Sequence, residues 1–174
     1  MPKIDVKCLT VGDFQVNCYL VVNAETRECL IVDPGAEGER IIRAAQEYKP
    51  AAVLLTHAHW DHIGAVDAVC GHFGIPLYVH EADAPKLTDS TKNVARQFGC
   101  DVTVATRPHL LHGGETLFLA DMEIRVLHTP GHSAGSFCCS RTMRASSAAF
   151  SGVTSKNDSR YRSASSMERP SSMA

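Results

Sequence analysis

The chain has 174 residues, 44% apolar and 21% charged, which is the balance of one globular domain, or one with a short tail, and not of a fibre or a disordered segment. Seventeen Lys and Arg stand against nineteen Asp and Glu, a net charge of −2; no basic excess is left to neutralise phosphates, which argues against a nucleic-acid binder. No run of 18 apolar residues occurs, and charges occupy the first seven positions where a signal peptide needs an apolar stretch, so neither a membrane span nor secretion is expected. Seven cysteines, an odd number without a Cys-x-x-Cys pair, read as reduced thiols of a cytoplasmic protein.

Val6–Val11 and Cys18–Val22 are short, rich in β-branched residues and separated by Gly12-Asp13, a hairpin pattern. Cys29–Val32 is a third strand, stopped by the turn Asp33-Pro34-Gly35. Glu37–Tyr48 carries Ile41, Ile42, Ala45 and Tyr48 at helical spacing and ends before Pro50. Ala51–Leu55 is wholly apolar, as expected of a strand buried on both faces. A helix is predicted over Ile63–Phe73, a strand over Pro76–Val79 and a short helix over Ala82–Leu87. Leu117–Leu119 with Glu123–Leu127 predicts a hairpin, and the adjacent Cys138 and Cys139 read as small apolar residues of a buried strand. Strands followed by β–α–β units make an α/β layered protein.

Near residue 140 the composition changes. Residues 1–139 hold three serines and carry 11 basic against 17 acidic side chains; residues 140–174 hold eleven serines, no Leu or Ile, and six basic against two acidic. Such a segment buries too little apolar area to offset its ordering entropy. The folded unit is therefore expected to span 1–139, with 140–174 a serine-rich disordered tail.

Of nine histidines, three fall within six residues, in Thr56-His57-Ala58-His59-Trp60-Asp61-His62-Ile63-Gly64, directly after the strand Ala51–Leu55. His57 and His59, two apart, point to one side of an extended chain. Asp61 and His62 follow where a helix must begin, so four potential ligands crowd the C-terminal end of one strand, where α/β sheets place their sites. Imidazole and carboxylate together suit zinc, and also iron or manganese. A second segment, His128-Thr129-Pro130-Gly131-His132-Ser133-Ala134-Gly135, again follows an apolar strand and delivers His132 as a third nitrogen. His72, His80, His109 and His112 have no partner motif, His128 stands one strand end from the cluster, and Trp60 reads as a pocket wall or packing residue.

Thr-His-x-His-x-Asp-His-x-Gly, here Thr56 to Gly64, with Asp33-Pro34-Gly35 and the Thr129–Gly135 loop, resembles the metallo-β-lactamase superfamily, and within it the small hydroxyacylglutathione-hydrolase (glyoxalase II)-like branch. The resemblance covers roughly residues 5–139. It implies an αββα sandwich with metal at one edge of the two sheets. It further implies that His57, His59 and His132 bind a first ion, that Asp61 and His62 bind a second, and that Asp33 supports the site from behind. The expected chemistry is hydrolysis of a thioester or related small carbonyl compound by hydroxide made available on one or two zinc ions. Asp61 would also orient that nucleophile, and no protein nucleophile would be needed.

The chain departs from the family pattern beyond that loop. Where the family has Phe-Ser-Gly-Asp-Thr, whose Asp bridges the metals, this chain reads Phe150-Ser151-Gly152-Val153-Thr154, and no histidine follows His132. Codons for Lys156–Glu168 read one base later permit Met-Thr-Leu-Gly-Thr-Asp-Leu-Pro-x-x-Trp-Ser, close to the family's Gly-Arg-x-Asp-Leu-Pro segment. The tail thus reads as a frameshift product, a diverged tail being the alternative, and the sandwich as incomplete at its C-terminal end. The alternatives to an active hydrolase are a catalytically impaired metal-binding remnant and a mononuclear iron enzyme resembling persulfide dioxygenases.

Overall fold

The computed structural model describes residues 3–141. β1 (Ile4–Val11) and β2 (Val16–Asn23) form the expected hairpin, paired from Ile4 opposite Asn23 to Val11 opposite Val16. β3 (Glu28–Val32) continues antiparallel to β2. From there the sheet turns parallel: β3 leads through α1 (Gly38–Ala45) to β4 (Lys49–Leu54), and β4 through α2 (Trp60–Ile63) and α3 (Val66–Phe73) to β5 (Leu77–His80). β6 (Pro108–Leu111), parallel to β5, completes a six-stranded sheet in sequential order. A second, antiparallel sheet joins β7 (Thr116–Leu119), β8 (Met122–His128) and β9 (Phe137–Arg141).

Both faces of the first sheet are covered, which explains its apolar central strands. On one face Ile31, Val53 and Leu55 pack with Ile41, Ile42 and Ala45 of α1 and Val66, Val69 and Cys70 of α3. On the other, Leu30, Ala52 and Leu54 meet Ala120, Met122 and Ile124 of the second sheet. The buried Asn23 amide donates to the carbonyls of Ala120 and Asp121, each at 3.3 Å, tying the two sheets together. Among the described residues the layers run helix, sheet, sheet, in keeping with an αββα sandwich incomplete at its C-terminal end. The tail readings, Val153 and the frameshift included, concern residues beyond Arg141 and lie outside the described residues.

Several elements differ from expectation. The helix predicted over Ile63–Phe73 breaks into α2 and α3 because the Asp33–Gly35 turn is wedged against it. The amide of Ala65 donates to Pro34 O at 2.9 Å, and a Cβ on Gly35 would lie 1.8 Å from the carbonyl oxygen of Asp61. The helix over Glu37–Tyr48 shortens to Gly38–Ala45, its end closing in a tight turn from Tyr48 N to Ala45 O ahead of Pro50. Ala82–Leu87 forms only a 3-10 turn, Ala84–Lys86, with Pro85 inside it. β6 was not expected. Cys138 and Cys139 do lie in a strand, but Cys138 is half-buried and Cys139 exposed, since β9 pairs only with β8 among the described residues.

Candidate metal centre

β4 runs between two parallel neighbours, and its end is fixed by Asp33 N donating to Leu54 O and Leu55 N donating to Tyr78 O, both at 3.0 Å. The chain then leaves the sheet as Thr56-His57-Ala58-His59 and enters α2. His57, His59 and His132 converge there. Their ring centroids are 4.7 Å apart for His57–His59, 4.8 Å for His57–His132 and 4.7 Å for His59–His132. One nitrogen from each lies within 4.8 Å of the other two. Burial falls from the buried His57 through half-buried His59 to exposed His132, so the cluster opens to solvent on the His132 side.

A relay sets the tautomer of His57. Asp33 accepts from Thr56 N at 2.7 Å and from the Thr56 hydroxyl at 2.5 Å. With its proton so engaged, Thr56 Oγ1 is an acceptor for His57 Nδ1, 3.1 Å away. The proton therefore sits on Nδ1, and Nε2 carries the free lone pair. That Nε2 is buried and has no hydrogen-bond partner, a costly state that a bound cation relieves. Asp33 adopts φ 51°, in the left-handed region, a conformation Asp tolerates better than most residues.

Burial keeps the His57 and His59 rings neutral. Burial, then the nearby His62, His59 and His132, hold the His57 pKa far below its ordinary value. Burial and the Lys86 charge lower His59 to about 4. His62 behaves oppositely: burial disfavours its charge, but Asp33 and Asp61 outweigh burial and raise its pKa. Its Nδ1 lies 3.0 Å from Asp33 Oδ2, within ion-pair distance though off the line of a good hydrogen bond.

The second group of converging donors is Asp33, His57 and His62, with the His57 and His62 rings 4.0 Å apart. Asp61 has its carboxylate 3.8 Å from His62 Nε2 and belongs to neither group of three, whereas Asp33 belongs to the second. Trp60 packs edge-on against Phe14 at 5.1 Å and tilted against Phe98 at 5.6 Å, an aromatic cluster beside the ligands. His128 Nε2 is 2.8 Å from Ala134 O, bracing the loop that carries His132. Of the other histidines, His72 meets Phe73, His109 stacks on Tyr78 and His112 pairs with Glu81. His80 is buried and stacked on His128 at 4.0 Å.

Sequence reasoning missed Asp83 and Lys86. Asp83 is fully buried, and its carboxylate accepts from Ala58 N, Gly135 N and the Ser133 hydroxyl, with Lys86 Nζ 3.1 Å away. A lone Asp in an exposed-looking stretch offers no pattern by which to find it. The cysteines stand apart: none is paired, and burial pushes the thiols of Cys29 and Cys70 up to about 11 and 12, away from nucleophilic thiolate at neutral pH.

The donor set fits a divalent metal. Three imidazoles with an open solvent side make a three-ligand site of the kind catalytic zinc uses. Among the described residues no helix is long and apolar enough to cross a membrane.

Known proteins resemble this chain. Residues 11–164 match the family described as the metallo-beta-lactamase superfamily. The "Probable metallo-hydrolase YqgX" of Bacillus subtilis is 40% identical over 131 residues, 74% of this chain and 61% of its own length. Hydroxyacylglutathione hydrolase GloC of Haemophilus influenzae is 33% identical over 136 residues, 76% of this chain and 64% of its own. Among solved structures, the BLEG-1 B3 metallo-beta-lactamase superposes with TM-score 0.73 at 40% identity, over 79% of this chain and 66% of that one. TTHA1623, in a di-iron-bound form, does so with TM-score 0.65 at 35% identity, over 75% and 64%. The chain spans a little over three fifths of the curated relatives it matches. It belongs to the metallo-β-lactamase superfamily, in the company of relatives named as hydrolases.

Proposed function

We propose that the chain is the metal-binding part of a zinc-dependent hydrolase of thioesters or related small carbonyl compounds, similar to glyoxalase II. The observation that carries this is His57 Nε2, a buried lone pair without a partner, on a ring that belongs to a three-histidine group with ligand atoms within 4.8 Å of one another. His57, His59 and His132 would hold a first ion; Asp61 and His62, with Asp33 beside them, would hold a second. Bound zinc supplies Lewis acidity, polarising a carbonyl and bringing the pKa of a water towards neutrality.

The protein's own groups do the rest. Thr56 and Asp33 fix the His57 tautomer, so its donor lone pair needs no rearrangement. Asp61 offers a carboxylate 3.8 Å from His62, able to accept a hydrogen bond from an attacking water and orient it. The exposed flank at His132 gives a small-molecule substrate its approach, with Trp60 as an apolar wall. Iron is the second candidate metal, favoured by the di-iron form of the TTHA1623 neighbour.

The test is thioester hydrolysis by the zinc-loaded chain, measured beside chelator-treated protein and His57→Ala. Turnover in the first and loss in both others supports the reading. Tight zinc binding without turnover leaves the metal-binding remnant, with Val153 in place of a bridging carboxylate as its reason, and overturns the hydrolase.

A further inference from the structure

Asp83 lies just beyond β5, far in sequence from every histidine of the cluster, and is completely buried. Its donors come from the two segments that carry those histidines. Ala58, whose amide donates to Oδ2 at 2.8 Å, sits between His57 and His59. Gly135, whose amide donates to Oδ1 at 2.9 Å, and Ser133, whose hydroxyl donates to the same carboxylate, closely follow His132. Lys86 donates to Ser133 Oγ and balances the Asp83 charge. A Cβ on Gly135 would lie 2.7 Å from both N and Cβ of Asp83, so the loop can close on the carboxylate only because residue 135 is glycine.

We propose that Asp83 is the positioning residue of the three-histidine set: one carboxylate bridges the two segments and fixes where His132 stands relative to His57 and His59. This rests on the metal-centre reading above. An apolar side chain could hold the segments close, but it would not set their direction. Two charged oxygens receiving main-chain and hydroxyl donors do both, since such bonds are shorter and stronger than neutral ones. Metal–nitrogen distances tolerate only about ±0.2 Å, so a loosened tie acts on the metal before it acts on the fold. A main-chain bond from Phe137 N to Thr56 O at 3.0 Å joins the same segments nearer the sheet, and it should keep the fold intact when Asp83 is altered.

The experiment compares the full chain with Asp83→Asn, Gly135→Ala and, as a control of similar burial, Asn23→Ala. Co²⁺ affinity is read by chelator competition, coordination geometry by the visible Co²⁺ spectrum, and amide exchange at Ala58 and Gly135 is followed without metal. Asp83→Asn and Gly135→Ala should weaken Co²⁺ about 10–100-fold, the usual effect of losing an outer partner. They should also alter the spectrum and speed exchange at residue 58 together with residue 135. Asn23→Ala should lower the unfolding midpoint and leave affinity and spectrum as they were. Asp83→Asn with unmodified affinity and spectrum, or changed no more than Asn23→Ala, overturns the proposal while the metal reading stands. If the unmodified chain takes up no Co²⁺, the metal reading falls and the exchange data decide the clamp alone: unchanged exchange overturns it, faster exchange at both amides upholds it.

Discussion

His59 Nδ1 and His132 Nε2 lie 3.0 Å apart across 73 residues of sequence. Two nitrogens on one tetrahedral zinc, each about 2.0–2.1 Å from it, stand roughly 3.3 Å from each other. The pair is therefore within a few tenths of an ångström of the spacing a shared ion needs. Without metal the nitrogens share a proton in a hydrogen bond; a bound ion would take the place of that proton, with both residues as its ligands.

The first prediction follows from that spacing. His132→Ala should remove one of three nitrogens and weaken zinc by more than the roughly 10–100-fold typical of outer-shell changes, while the exposed position keeps the unfolding midpoint of the metal-free chain nearly unchanged. Calorimetric titration and urea unfolding measure the two effects separately.

Thr56→Val keeps the shape and deletes the hydroxyl between Asp33 and His57. It should weaken zinc about 10–100-fold by freeing the His57 tautomer. It should also cost about 1–3 kcal/mol of stability, because Asp33 Oδ2 and His57 Nδ1 lose their partner. Thr56→Ser should restore most of both, a rescue that simple packing loss does not predict.

Gly35→Ala should destabilise by at least the roughly 1–3 kcal/mol of overpacking, since its Cβ would meet the Asp61 carbonyl at 1.8 Å, and backbone cannot give way as a flexible side chain does. At about 2–4 °C per kcal/mol for a chain of this size, the melting temperature should fall by several degrees. An unshifted melt would mean that the Asp33–Gly35 turn is not wedged against α2.

Acid should destabilise the metal-free chain before its carboxylates titrate. His57 and His59 have lowered native pKa values, His59 about 4 against an ordinary 6.5. Between pH 6.5 and 4 the unfolded chain binds more protons than the native one, so native stability falls as pH falls. His62, with its raised pKa, acts in the opposite sense: its contribution is complete below 6.5 and is lost as pH rises through its native value. The exposed His112, raised by its bond to Glu81, acts with His62, but the larger displacements of His57 and His59 leave a net fall. Urea midpoints taken from pH 7 down to 4.5 should decline, and less steeply in His59→Gln.

The ligand-bearing segments were legible because their signal is dense: Thr56 to Gly64 packs three histidines and an Asp into a strand end, and a Pro-Gly turn marks His132. Thr56 was visible as part of the motif, yet its hydroxyl relay depends on Asp33, which only the fold brings beside it. The same limit hid Asp83, whose partners are Ala58, Ser133 and Gly135. β6 escaped notice because four residues beginning with Pro108 carry almost no strand pattern, and an edge strand tolerates the missing amide. The break between α2 and α3 is invisible in the spacing of Ile63, Val66 and Val69, for it is made by the Asp33–Gly35 turn pressing from outside.

Metal content decides the central claim most directly. The purified chain, stripped with chelator, dialysed to equilibrium against zinc and measured by elemental analysis, should retain at least one ion per chain, and a doubly substituted His57→Ala, His132→Ala protein should retain none. An unmodified chain that keeps no zinc above the buffer level, or a double variant that keeps as much as the unmodified chain, would contradict a metal centre built on His57, His59 and His132.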